Sequence, residues 1–254
     1  MKRKLVAVIA CRNNSSRLYA KPMQFLDYDS KITIIDCIIT SLKSNKNIKE
    51  IILGISNHKD NLIYKEFAKL KKIKFFFGSD KDVLSRLIKG ALITEASDIF
   101  RVTSESPFIS LDYIGEVWQK HIKLNNDLTI FSNNIDGMGF EIFTKASLKK
   151  SHKNGNHRHR SELCDLYIRE NIKDFRVKYI KKEFTKNKFR LTVDNPEDLI
   201  LCRKLFSNLK KNYPKFKQNE IIKFLTNKKN VKDIKLVNQF IKKSKTIDNL
   251  WKNV

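Results

Sequence analysis

Glycine is scarce in this chain, with 7 in 254 residues, and none falls between Arg12 and Lys21, the polar segment behind the first apolar run. That absence excludes two common phosphate cradles. The Walker loop needs Gly-x-x-x-x-Gly-Lys-Ser/Thr, and the dinucleotide fingerprint needs Gly-x-Gly-x-x-Gly. The four cysteines, at positions 11, 37, 164 and 202, show no paired spacing, so neither a zinc site nor a disulfide frame is suggested. Cys11, at a strand end, is the thiol placed to be reactive. No run of eighteen apolar residues exists, which excludes a spanning helix of ordinary length. Behind Met1-Lys-Arg-Lys stand only seven apolar residues, too few for a signal peptide, so a cytoplasmic location is expected.

Acidic residues are outnumbered 27 to 52, giving a formal net charge of +25. A large basic excess attracts polyanions, including nucleic acid, anionic membrane and nucleotides. Here the lysines are spread along the whole chain, with no basic tail and no aromatic-interleaved RNA motif. Much of the excess therefore reads as solvated surface, and nucleic acid is not the expected partner. The hydrophobic content of 41% is enough for a sizeable core in one domain.

What is present is an alternation of short apolar runs and amphipathic stretches. Val6-Ala-Val-Ile-Ala-Cys11 reads as a buried parallel strand, and Arg12-Asn-Asn-Ser15-Ser16-Arg17-Leu-Tyr-Ala-Lys21 follows it with three cations and two hydroxyls. Guanidinium and ammonium groups beside hydroxyls at a strand's carboxyl end make an anion site suited to a polyphosphate. A solvated basic loop is the plainer alternative. Ile32 to Leu42 reads as a helix, Glu50 to Ser56 as a strand, Asp60 to Leu70 as a helix, and Lys74 to Phe77 as a third strand. Gly78 permits a tight exit there, and Ser79 or Asp80 caps the next helix.

Asp98 to Thr103 is a fourth strand that runs into Ser104-Glu105-Ser106-Pro107. In a doubly wound sheet the carboxyl ends of neighbouring strands share one crevice, which places Glu105 opposite the Arg12 loop. Leu128 to Ser132, Phe140 to Phe143 and Arg176 to Ile180 read as further strands, with Gly137 and Gly139 marking a turn. Ser151 to Arg160 reads either as a mobile basic flap for an acceptor or as a plain exposed loop. Phe189 to Asp194 reads as a strand ending on a carboxylate suited to Mg²⁺, with Asn195 as cap and Pro196 as the first helical residue. Helices are expected over Leu199 to Leu209, Glu220 to Leu225 and Ile234 to Ile241.

Four motifs in this order, Arg12-x-x-Ser15-Ser16-Arg17-Leu-x-x-Lys21, Gly78-Ser-Asp-Lys-Asp82-Val-Leu-Ser-Arg86, Arg101-Val-Thr-Ser-Glu-Ser-Pro107 and Leu191-Thr-Val-Asp194-Asn-Pro-Glu-Asp198, resemble the cytidylyltransferase family. That family includes spore-coat polysaccharide protein F-like proteins and the cytidylyltransferases for 3-deoxy-manno-octulosonate and acylneuraminate. The resemblance implies an α/β, Rossmann-like three-layer nucleotidyltransferase fold with a mostly parallel central sheet and a helical C-terminal tail. It implies one domain over 1–254, with a nucleotide part at 1–125, an acceptor and metal part at 126–195, and C-terminal helices at 196–254.

It also implies transfer of CMP from CTP to an acidic sugar or similar acceptor, with release of pyrophosphate, in surface polysaccharide or glycoconjugate synthesis. By the same resemblance Arg12, Ser15, Arg17 and Lys21 match the triphosphate loop, Ser79 approaches the base, and Glu105 and Asp194 match the Mg²⁺-binding acids. The candidate nucleotide site is then Ala10, Arg12, Ser15, Ser16, Arg17, Lys21, Ser56, Ser79, Arg86, Thr103 and Glu105, with Arg12, Arg17 and Lys21 as the catalytic cations. Glu141, His159 and Arg160 are the candidate acceptor-binding residues, and a homodimer is expected.

The chain departs from the family pattern at Asn14, Tyr19 and Ala20, where Gly, Pro and Gly are usual, and at Glu105, which replaces the commoner Asp. At Arg160-Ser-Glu162 the pattern has Arg-Glu-His. A phosphonate or polyol-phosphate acceptor, another nucleotide, or a non-catalytic basic binding protein are the alternatives.

Overall fold

The computed structural model describes residues 3–13, 17–133, 135–186 and 188–230, together with Ile234 and Gln239. In chain order come β1 (Leu5–Cys11), the hairpin β2 (Phe25–Asp27) and β3 (Ile32–Thr33), α1 (Ile34–Lys43), β4 (Glu50–Ser56), α2 (Leu62–Leu70), β5 (Lys74–Gly78) and α3 (Val83–Ile93). These are followed by β6 (Asp98–Thr103), α4 (Ile114–Lys123), β7 (Leu128–Ser132), β8 (Ile135–Asp136), β9 (Phe140–Thr144), α5 (Lys145–Asn154) and α6 (Leu166–Glu170). Then come β10 (Val177–Lys181), β11 (Phe189–Arg190), α7 (Pro196–Leu209) and α8 (Gln218–Thr226).

Seven strands form one sheet in the order β10-β7-β9-β6-β1-β4-β5. All neighbours are parallel except β9, which runs antiparallel to both β6 and β7. The uncharged, β-branched composition of β1 is what a strand buried on both faces requires. Ala7 and Ile9 belong to the core cluster that holds the buried faces of α1, α2 and α7, whereas Val6 and Val8 belong to the one that holds the face of α3. Helices therefore cover both sides of the sheet. Chain order reverses beside β1, with β4 on one side and β6 on the other, so the carboxyl ends of the three strands open onto a single crevice.

Several sequence expectations are corrected. Ile32 and Thr33 belong to a strand, because Thr33 caps α1: its Oγ1 accepts from Asp36 N–H at 3.2 Å and Asp36 accepts from Thr33 N–H at 3.3 Å. Asp82, rather than Ser79 or Asp80, caps α3 by accepting from Ser85 N–H at 2.7 Å. The strand read over Phe189 to Asp194 stops at Arg190 and pairs with β8 outside the main sheet. The first part of the flap is α5, which runs to Asn154. The last tail helix lies outside the described residues, apart from Ile234 and Gln239. No helix among the described residues is long and apolar enough to cross a membrane.

Gly78 is needed for space, not for its turn. A Cβ there would stand 2.7 Å from Arg86 Cγ.

Candidate active site

β1 ends at Cys11, and the loop that leaves it is fastened at Asn13, which is 5% exposed. Asn13 N–H donates to Asn61 Oδ1 at 2.7 Å, and Tyr64 OH donates to Asn13 Oδ1 at 2.5 Å. Ala20 N–H then donates to the Asn13 carbonyl at 3.1 Å, closing the loop on itself. Ser15 and Ser16 lie outside the described residues.

Ala20 holds φ 50° and ψ 40°, the left-handed region. This accounts for the glycine usual at that place. Ala20→Gly is expected to stabilise the protein by up to about 1 kcal/mol, because relief of about 1–2 kcal/mol of left-handed strain exceeds the ~0.4–1 kcal/mol by which glycine favours the unfolded chain. Urea denaturation measures it, and a lower midpoint would contradict that backbone.

The loop's closure delivers its cations to two carboxylates. Lys21, which is 7% exposed, places Nζ 2.6 Å from Asp194 Oδ1 and 3.7 Å from Glu105 Oε2, and Arg17 Nη2 lies 3.6 Å from the same Asp194 oxygen. Three distant segments thus meet at one ammonium group. Val193 N–H donates to the Glu105 carbonyl at 2.9 Å, which ties the exit of β6 to the segment carrying Asp194. Arg12 points elsewhere: it is half exposed, and its Nη2 is 3.5 Å from Glu162.

Behind Asp194 stands a buried brace that sequence reasoning missed. Arg190 pairs with Asp194 Oδ2, with Asp136 at 3.2 Å and with Asp198 at 3.1 Å. Asp198, fully buried, also accepts the N–H groups of Asp194 at 2.9 Å and Asn195 at 2.8 Å. An acid three residues after Asn195, with Pro196 between, is the one signal that could have found it.

The two carboxylates differ electrostatically. Burial raises the pKa of Glu105, and Lys21 only partly offsets it because Asp194 and Glu162 add like charge. Burial also opposes ionisation of Asp194, but its hydrogen bond to Lys21 and the charges of Lys21, Arg190 and Arg17 outweigh this and lower its pKa. Ionised Glu105 therefore opposes folding at neutral pH, a penalty that vanishes as pH falls below its unfolded value. Asp194 stabilises above its unfolded pKa, and that contribution is lost as pH falls through the lower folded value. Glu105→Gln is expected to melt above the wild type at pH 7, with the gap closing toward pH 4. A gap of opposite sign in thermal unfolding would show that pairing with Lys21 outweighs burial.

The remaining candidate residues are placed as follows. Ala10, half-buried on β1, is in register with Gly54 and Thr103. Ser56 is buried and donates to Asp80 Oδ1 at 2.5 Å, and Thr103 donates to Ser106 Oγ at 3.0 Å. Ser79 Oγ accepts from Asp82 N–H at 3.1 Å. Arg86 is corrected as a contact residue. It is 2% exposed and donates to the carbonyls of Cys11 and Gly54.

Glu141 faces Arg101 across the β6–β9 ladder at 3.1 Å. His159, 7% exposed, accepts from Asn156 N–H at Nδ1, which leaves Nε2–H to donate to Glu170 at 2.6 Å. Arg160 donates to the carbonyls of His152 and Gly155. These side chains are tied into the wall, not set on an open flap. The Cys11 thiol is pushed up to about 12 by burial, so it is neutral and unreactive at physiological pH.

Among the described residues no three His, Cys, Asp or Glu side chains cluster as a ready metal cage. Glu105 and Asp194 nonetheless fit a hard divalent ion that takes one or two carboxylates and fills its remaining positions with phosphate oxygens and water. Both already converge on a cation, Lys21 Nζ.

The comparisons with known proteins agree with this arrangement. A family model described as cytidylyltransferase matches residues 6–234. The chain is 24% identical over 206 residues to a spore coat polysaccharide biosynthesis protein of Bacillus subtilis, covering 80% of this chain and 86% of that one. Its fold is similar to that of a cytidylyltransferase from Leptospira borgpetersenii, with a TM-score of 0.81, 23% identity, and 92% and 97% of the two chains covered. It is also similar to a CMP:2-keto-3-deoxy-manno-octonic acid synthetase in complex with CTP, with a TM-score of 0.64, 14% identity, and 81% and 99% covered. A family match over nearly the whole sheet, with Arg17 and Lys21 of the loop drawn together with Glu105 and Asp194, makes this chain a member of the cytidylyltransferase family, an enzyme of the CTP-dependent nucleotidyltransferase class.

Proposed function

We propose that the protein transfers CMP from CTP to an acidic sugar or a similar acidic acceptor, releasing pyrophosphate, in the synthesis of a surface polysaccharide or glycoconjugate. The observation that carries this reading is the position of Lys21 Nζ, 2.6 Å from Asp194 and 3.7 Å from Glu105, where a polyphosphate entering over the loop would meet it. The polysaccharide role of the Bacillus subtilis relative and the sugar acid named for the synthetase support the acceptor class.

On this reading an acceptor oxygen attacks the α-phosphorus in line, and the bond to the bridging oxygen of the β-phosphate breaks. Negative charge then develops on the departing pyrophosphate. Lys21 and Arg17 stabilise that charge after exchanging their carboxylate partners for phosphate oxygens, and Arg12 closes on it from the exposed side of the loop. Mg²⁺, when held by Asp194 and Glu105, supplies a Lewis acid that neutralises the α-phosphate. Glu141, His159 and Arg160 shape the acceptor wall through the partners they hold. The same reading includes a homodimer in the cytoplasm, and light scattering of the purified protein measures the assembly.

The test is a thermal-shift panel of CTP, UTP, GTP and ATP with and without Mg²⁺, followed by pyrophosphate release with sugar acids and a polyol phosphate as acceptors. CTP at a hundred times its dissociation constant should add about 2.7 kcal/mol of stability. Selective response to another nucleotide would move the base assignment. Release only with the polyol phosphate would change the acceptor class.

A further inference from the structure

Beneath the cleft lies a charge that the mechanism above does not use. Arg86, on α3, is 2% exposed, and its Nη1 donates to the carbonyls of Cys11 at 3.3 Å and Gly54 at 3.0 Å. Cys11 is the last residue of β1, immediately before Arg12, and Gly54 lies two residues short of the end of β4. Among the described residues Nε has no hydrogen-bond partner, and no carboxylate makes an ion pair with the guanidinium, the charge of Asp80 acting on it only from beyond bonding distance. The fold makes room for the stem of this group with glycine on β5: a Cβ at Gly78 would stand 2.7 Å from Arg86 Cγ.

A buried cation without a counter-ion is a liability to the folded state, and an apolar side chain of similar volume in its place is often neutral or stabilising. A neutral donor would also serve the two carbonyls. What only a cation adds is positive potential, delivered through protein where solvent and salt screen it little. That potential emerges where the Arg12 to Lys21 loop leaves the sheet.

We infer that Arg86 is a positioning residue for nucleotide binding: from below the ends of β1 and β4 it holds the Cys11 carbonyl, and with it the start of the loop, and presents a fixed charge to the polyphosphate without touching it. This rests on the nucleotidyltransferase reading, and the incoming triphosphate supplies the negative charge that no ion-paired carboxylate gives Arg86.

The test compares Arg86→Met, Arg86→Gln and Arg86→Lys in the full chain. Calorimetry measures binding of CTP and, separately, of inorganic tripolyphosphate, and thermal unfolding is followed without ligand. The Met and Gln proteins are expected to unfold at or above the wild-type temperature while binding both ligands at least tenfold more weakly, about 1.4 kcal/mol. The Lys protein, which keeps the charge, should stay within about threefold of wild type in affinity, on the same scale.

Met and Gln proteins that lose thermal stability yet bind as tightly as wild type would make Arg86 a strut and overturn the inference, as would a Lys protein as weak as the Met protein. If the Met protein does not fold, the Gln protein decides. Wild type that binds tripolyphosphate but not CTP would overturn the base assignment alone, with Arg86 still judged on tripolyphosphate. Binding of neither would overturn both.

Discussion

Lys21→Met is expected to lower turnover by two to three orders of magnitude, about 2.7–4 kcal/mol of transition-state stabilisation, with a much smaller effect on KM. Lys21 is 7% exposed, and its ammonium sits where two carboxylates and two arginine-bearing segments converge, so the polyphosphate meets it in a water-poor setting. Charge on pyrophosphate grows as the bond to the α-phosphorus breaks, and a fixed cation there favours the transition state over bound CTP. The fold should tolerate the change, because Asp194 keeps Arg17 and Arg190. Lys21→Arg is a severe control, since a planar fork does not replace a point charge that approaches one oxygen at 2.6 Å. The measurement is pyrophosphate release at saturating CTP, with circular dichroism to show that the protein is folded. Wild-type turnover in the Met protein would remove Lys21 from the chemistry.

How much of this was legible in the sequence follows from which forces act locally. β1 and β4 are uncharged or nearly uncharged runs buried on both faces, and that burial writes itself directly into composition. The meeting of the Arg12 loop with Glu105 was readable because a doubly wound sheet brings strand carboxyl ends to one crevice, whereas Asp194 arrives on a turn beyond β11, outside the main sheet. β8 was not readable, since a two-residue strand carries no periodicity, and β11 was read as a strand but four residues too long. α5 hides within a polar stretch because much of its surface faces water, and only Ser147, Leu148 and Ser151 are buried. Ser79 and Asp82 both have cap chemistry, and only the backbone geometry decides between them. Arg86 entered the nucleotide set as the last residue of the Gly78 to Arg86 motif. The structure puts that guanidinium under the sheet, where the glycine at 78 leaves room for its stem.

Asp198→Ala should be the most destabilising single change at the site, and it removes a residue that is fully buried. Its carboxylate accepts the N–H groups of Asp194 and Asn195, the Asn195 amide at 3.2 Å and Arg190 Nε at 3.1 Å. Truncation leaves four donors without their acceptor. Breaking a buried pair from one side costs about 3–5 kcal/mol. Arg190 retains Asp194 and Asp136, which places the expected loss near the lower bound, about 3 kcal/mol. In a protein of this size that lowers the melting temperature by roughly 6–12 °C. Asp198→Asn should lie between, since an amide still accepts from the backbone but turns an N–H toward one of its former donors. Because the same carboxylate fixes the backbone at Asp194, turnover should also fall in both proteins at temperatures where they remain folded. Thermal unfolding and pyrophosphate release separate the two effects. An Ala protein that melts with the wild type would mean that Arg190 and Pro196 hold the Asp194 turn without help. A protein that is destabilised but fully active would place Asp198 in the scaffold alone.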